Sequence, residues 1–152
     1  MSRTAPPALV AWLGYGGLLP FAVTALGTLL DDSHRLFWQH ALLTYGALIL
    51  SFVGALHWGQ AMGEEDAAAA GHLYAWSVVP ALAGWAALLL PLLMARGFAL
   101  AALVLIVAFV AHYAQDKRLA RRCALPAWYL PLRLQLSSGA CLSLAALALA
   151  AP

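Results

Sequence analysis

Five stretches of this chain, 8–30, 36–62, 73–93, 98–115 and 134–150, are almost wholly apolar. Each is close to the ~20 residues that an α-helix needs to cross the hydrocarbon of a bilayer. The composition points the same way. Of 152 residues, 64% are hydrophobic and 9% are charged, against about a quarter charged in ordinary soluble domains. A soluble fold covers itself with polar groups, and 8 Lys and Arg with 6 Asp and Glu are too few to do so here. The expectation is an all-α, integral membrane bundle of five transmembrane helices, a single membrane domain over 1–152. The first segment reads as a retained helix. Pro6 and Pro7 follow Arg3 at once, the apolar run is longer than a leader's ~7–15 residues, and no Ala-x-Ala site closes it.

The breaks are legible. Asp31 to Arg35 separates the first two segments, Gly63 to Asp66 opens the next loop, and Arg96-Gly97 makes a tight hairpin. A basic loop over 116–133 is the longest connection, and its start can continue the fourth helix. Lys and Arg near helix ends set orientation. Alternation puts Arg3, Lys117, Arg118, Arg121, Arg122 and Arg133 on one side, and Arg35 and Arg96 on the other. That bias of six against two predicts the N-terminus in and the C-terminus out. Trp128 and Tyr129 suit the membrane–water interface.

The second segment is the most informative. One helical face gathers Gln39, His40, Gly46, Ala47, Ser51, Gly54, His57 and Trp58, and the opposite face carries Leu42, Leu48, Ile49, Phe52, Val53 and Leu56. Ala47, Ser51, Ala55, Gly59 and Gly63 recur at every fourth position, a small-residue stripe of the kind that lets helices approach closely in lipid. This helix is expected at the centre of the bundle, with its bulky face outward. Pro80 is expected to kink the third segment, and Gly14, Gly16, Gly17 and Pro20 to bend the first.

No acid or base falls at mid-depth of any of these spans, which disfavours carboxylate-driven transport and voltage sensing. His57 and His112 share a depth near the inner end of their helices, and His112, Gln115 and Asp116 share a face. Two facing histidines could ligate haem or a metal, and a His–Asp pair could orient a proton or a quinone oxygen. The bland alternative has His57 donating to a carbonyl or to Asp116, with Trp58 and Tyr113 anchoring the interface. The speculative ligand site is therefore His57, Trp58, His112, Gln115 and Asp116, with no metal and no cofactor expected. Lys117, Arg118, Arg121 and Arg122 could attract lipid headgroups or only fix topology. Glu64 and Glu65 read as a solvated loop. No nucleophile elbow, phosphate-binding loop or dinucleotide fingerprint is present, so no enzyme activity is expected. A net charge of +2 without a basic aromatic face gives no reason to expect nucleic acid as a partner.

The run Tyr45-Gly-Ala-Leu-Ile-Leu-Ser-Phe-Val-Gly-Ala-Leu-His57-Trp58-Gly59 resembles the signature of the membrane family known as domain of unknown function 3429. Transmembrane protein 69 of animal mitochondria is a relative in that family. Leu13 to Phe21, Trp76 to Pro80, Asp116 to Arg121 and Leu125 to Leu134 resemble its other segments, so the likeness spans nearly the whole chain. The resemblance implies a multi-pass protein of the bacterial inner membrane and supplies no activity. Small size, packing stripes and that family link favour an accessory or assembly partner of a larger, respiratory-type membrane complex, with other subunits or further copies as neighbours in the bilayer. The alternatives are a binding protein for quinone, lipid or another small hydrophobic ligand, and a minimal channel formed by oligomers.

Overall fold

In the computed structural model, which describes residues 5–150, the chain is helical, with no strand among the described residues. The elements are α1 (Ala8–Gly16), α2 (Leu18–Leu30), a short 3-10 turn (Asp32–His34), α3 (Arg35–Ala61), α4 (Ala67–Leu93), α5 (Gly97–Arg122) and α6 (Tyr129–Ala150). They make five spans long and apolar enough to cross a membrane, the first combining α1 and α2.

That first span is interrupted at Gly17. Pro20 has no N–H to return to the carbonyl of Gly16, which breaks the helical ladder where the glycines make a bend easy. The Gly17 carbonyl accepts a hydrogen bond from the Tyr45 hydroxyl at 2.9 Å, tying the break to α3. At the far end Asp31 closes the turn into α3. Its carboxylate accepts from the His34 backbone N–H at 3.2 Å and from the Trp38 indole at 3.0 Å.

Three boundaries differ from those read in the sequence. α4 begins at Ala67 rather than 73, because Asp66 caps it by accepting from Ala68 N–H at 3.0 Å and alanines follow. α5 runs on to Arg122, its Arg121 and Arg122 placed favourably at the negative end of the helix dipole. α6 begins at Tyr129, so the expected loop over 116–133 shrinks to 123–128. Arg133 is thereby a buried helix residue rather than a loop cation. Arg3 lies outside the described residues.

α3 is central, packing on α2, α4, α5 and α6. Where it meets α4, a Cβ on Gly54 would lie 2.9 Å from the Ser77 carbonyl and 3.0 Å from Pro80, and one on Gly84 would lie 3.2 Å from Ala47. The α4–α5 hairpin is as tight as Arg96-Gly97 suggested, since any side chain at 97 would collide with the Leu90 carbonyl. Pro80 does not end α4 and is buried against Gly54.

The small-residue stripe on α3 divides. Ala47 is buried, whereas Ala55, Gly59 and Gly63 are exposed, and nothing lies within 4 Å of a Cβ on Gly59. Packing follows Leu43, Gly46, Leu50, Val53, Gly54 and His57 instead. Leu42 and Val53 of the expected outer face are buried, while Leu48, Phe52 and Leu56 point out. The correction has a plain cause. Four neighbours surround α3, so its buried arc is wider than one stripe.

The core consists of Phe21, Leu42, Leu43, Leu50, Leu105, Phe109 and Leu144, with Phe21 edge-on to Tyr45 and Phe109. Outside it, Trp12, Phe52, Trp85, Leu142 and Leu149 are each more than three-fifths exposed. In water such a surface would drive aggregation, whereas lipid solvates it without cost. The protein is a multi-pass membrane protein.

Candidate functional site

The polar centre of the bundle is assembled by α3, α4, α5 and α6 near the end that carries the 62–66 and 123–128 connections. His57 comes from α3, Trp76 from α4, His112 and Asp116 from consecutive turns of α5, and Tyr129 and Arg133 from the first turns of α6. His57, His112 and Asp116 are 1% exposed or less, and Arg133 is 7% exposed. Burial of this depth makes an unpaired charge or an unsatisfied donor costly.

Asp116 is the hub. Its Oδ2 accepts from Arg133 Nε at 2.8 Å, and its Oδ1 accepts from the Tyr129 hydroxyl at 3.3 Å. His57 Nε2 and His112 Nε2 face the same Oδ1 from 3.8 and 3.7 Å, too far for direct hydrogen bonds. The two imidazoles meet edge to face with ring centroids 4.8 Å apart. His57 has no partner at either ring nitrogen.

Trp76 fixes the state of His112. The indole N–H, a donor only, points at His112 Nδ1 from 3.2 Å. That contact favours the tautomer with a bare Nδ1 and the proton on Nε2, which faces Asp116 from 3.7 Å without a hydrogen bond. This bears on metal binding. Donor atoms of His57, His112 and Asp116 lie within 4.8 Å of one another. A histidine that ligates through Nε2, however, normally carries its proton on Nδ1 and donates it to a second-shell acceptor. Trp76 imposes the opposite arrangement, leaving only His57 and Asp116 with a free lone pair. A haem or metal held by the two histidines does not fit this tautomer.

Of the residues proposed from sequence, His57, His112 and Asp116 come together. Trp58 points away, 49% exposed and edge-on to Tyr74 at 4.8 Å. Gln115 accepts from Arg118 Nη1 at 3.4 Å on a neighbouring face of α5. The sequence reading missed Arg133 and Trp76 as members and placed Tyr129 only at the interface. Asp116 and Arg133, read from sequence as residues of the basic loop, lie instead inside α5 and α6, each toward the connection end of its span rather than at mid-depth. The available signal was a lone acid ending one apolar segment and a lone base opening the next, which a helical hairpin brings face to face.

An elongated cavity of about 490 Å³ flanks this centre between the first span, α3 and α6. Leu13, Phe21, Phe52, Leu56 and Leu136 form apolar walls. Tyr129, Arg133 and Ser137 supply its polar groups. Arg133 Nη2 and Ser137 Oγ are both buried without a hydrogen-bond partner.

Comparison with known proteins gives a consistent family and no function. Transmembrane protein 69 of Xenopus tropicalis is 39% identical over 84 residues, which is 55% of this chain and 32% of the frog protein. The match thus spans about a third of that relative's length. No solved structure matches the chain. A family model described as "Protein of unknown function (DUF3429)" matches residues 6–149, and the chain belongs to that family.

Proposed function

We propose that the protein is a non-catalytic binding protein for a small hydrophobic ligand of the quinone or lipid class, held in the lateral cavity. One observation carries the reading: Arg133 and Ser137, whose Nη2 and Oγ are buried without a partner, line a mainly apolar cavity of about 490 Å³. Ligand sites run to about 300–1,000 Å³ and combine apolar walls with a few convergent polar groups. An acceptor oxygen on the ligand would satisfy the donors, whose burial otherwise costs about 1–3 kcal/mol each. Because Asp116 already matches the charge of Arg133, a neutral head such as a quinone carbonyl or an ester suits the site better than an anion, which would be a third, uncompensated charge.

The setting we propose is a bacterial inner membrane, with the N-terminus and the 62–66 and 123–128 connections on the cytoplasmic side. Lys117, Arg118, Arg121 and Arg122 support that orientation. The pore alternative draws on the His/Ser/Gly face of α3, and the burial of Gly46, Gly54 and His57 within one chain favours the cavity reading over it.

The test is purification at native expression level in a mild detergent, with bound small molecules and proteins both identified by mass spectrometry. A quinone or lipid retained by the wild type and lost from Leu56→Trp, which fills the rim of the cavity, supports the proposal. Stoichiometric recovery with the subunits of a membrane complex and no retained ligand overturns it in favour of an accessory or assembly role.

A further inference from the structure

A second cavity, of about 240 Å³, lies at the connection end of the bundle between α4, α5 and the last turns of α3. Its character is opposite to that of the first. Arg118, Arg122 and Gln115 line it from one face of α5, His72 and Trp76 line it from α4, and His57 reaches it from α3. No carboxylate lines it. Neither Arg118 nor Arg122 is ion-paired among the described residues. Two like charges spaced i,i+4 on one helix repel, and an anion held between them would relieve that repulsion. Asp116, 3.8 Å from His57, does not line this cavity, and its charge is matched by Arg133.

His57 is the second, independent observation. It is 1% exposed, lines the cavity, and leaves both ring nitrogens without a partner. With Nε2 turned toward Asp116 at 3.8 Å, too far for a hydrogen bond, the imidazole keeps unused hydrogen-bonding capacity beside the cavity.

We infer that this cavity is a binding site for a phosphate-class oxyanion, gripped by Arg118 and Arg122 with Gln115 and His57 as further donors. Guanidinium forks match the spacing of phosphate oxygens and bind them in pairs. The Gln115 oxygen is engaged by Arg118, which leaves its amide N–H groups free to donate. The volume falls below the ~300 Å³ at which whole-ligand pockets begin, so it suits a headgroup or an inorganic ion rather than an acyl chain. Lys117 and Arg121, equally basic, do not line the cavity. All four cations are exposed, but only Arg118 and Arg122 border the cavity. This inference does not rest on the lateral cavity.

The test uses the full chain and two probes. Inorganic phosphate is titrated calorimetrically into protein in a zwitterionic detergent. Separately, lipid retention is read by native mass spectrometry after reconstitution in phosphatidylcholine nanodiscs with or without phosphatidic acid. Arg118→Gln with Arg122→Gln should lower affinity for the bound probe by about tenfold or more, the scale of losing charge-assisted bonds. Lys117→Gln with Arg121→Gln removes the same charge outside the cavity and should change affinity less than about twofold, since charges that do not border the ligand act on it only through screening solvent. Saturable binding of inorganic phosphate identifies a free anion as sufficient, and retention of phosphatidic acid alone identifies a lipid headgroup. His57→Asn should weaken whichever probe binds, even if the double arginine variant proves unstable. Equal losses in the two charge-matched pairs, or no saturable binding of either probe, would overturn the inference.

Discussion

Asp116 and Arg133 form an ion pair at 2.8 Å between α5 and α6, with both side chains at least nine-tenths buried. Seventeen residues separate them in sequence, and the short 123–128 connection folds them together. The pair ties the α5–α6 hairpin together and links the histidine cluster to the lateral cavity. Arg133, whose Nη2 is buried without a partner, also lines the lateral cavity, and Asp116 faces both histidines.

Removing one partner leaves the other as an uncompensated buried charge. Arg133→Ala or Asp116→Ala is expected to destabilise the protein by about 3–5 kcal/mol. The double change Asp116→Leu with Arg133→Met leaves no stranded charge and should cost far less than the sum of the two single changes. Thermal or denaturant unfolding in detergent measures the cycle. Additive losses would show that the pair is not coupled.

The division of the α3 stripe predicts an asymmetry between two glycines. Gly54→Leu places a side chain against the Ser77 carbonyl and Pro80, an overpacking expected to cost at least about 1–3 kcal/mol. Gly59→Leu projects into open space and should be neutral or slightly stabilising, because leucine favours helix over glycine. Unfolding curves of the two variants decide the matter, and equal damage would contradict the packing described for α3 and α4.

Trp76 is predicted to hold His112 in a single tautomer. Nitrogen-15 NMR of the selectively labelled wild type should show a bare Nδ1 and a protonated Nε2. Trp76→Phe removes the only indole donor to that nitrogen and should populate the other tautomer, with a stability loss of about 1 kcal/mol for the missing bond. A wild type that already shows Nδ1 protonated would reverse the argument against metal binding.

Asp31 gives a pH dependence with a definite sign. The Trp38 indole bond holds its carboxyl below the usual carboxylate range, with smaller help from His34 and some opposition from burial. A folded-state pKa lower than the unfolded one means that the contribution is full above the unfolded value and fades as pH falls through the folded one. The Trp38 indole proton resonance should therefore hold steady down to about pH 4 and shift only below it. Asp31→Asn should abolish that acid transition.

Much of this protein was decided by its sequence. Apolar runs of membrane-spanning length leave little alternative to five helices, because a backbone in lipid must satisfy its own hydrogen bonds. The hairpin at Gly97 and the break near Pro20 were legible for similar local reasons, a missing side chain and a missing N–H. His57, His112 and Asp116 were legible as a group because helical spacing and common depth place them near one another. Only the tertiary structure decided what surrounds them. Which arc of α3 is buried depends on how many helices pack around it, and periodicity along one helix carries no record of that number. Arg133 reads as a topology-setting cation until α6 is seen to begin before it and turn it inward onto Asp116. The protonation of His112 depends on an indole 36 residues away in sequence. Helix formation is a local property of the chain, but the partners of buried polar groups are chosen by contacts between helices.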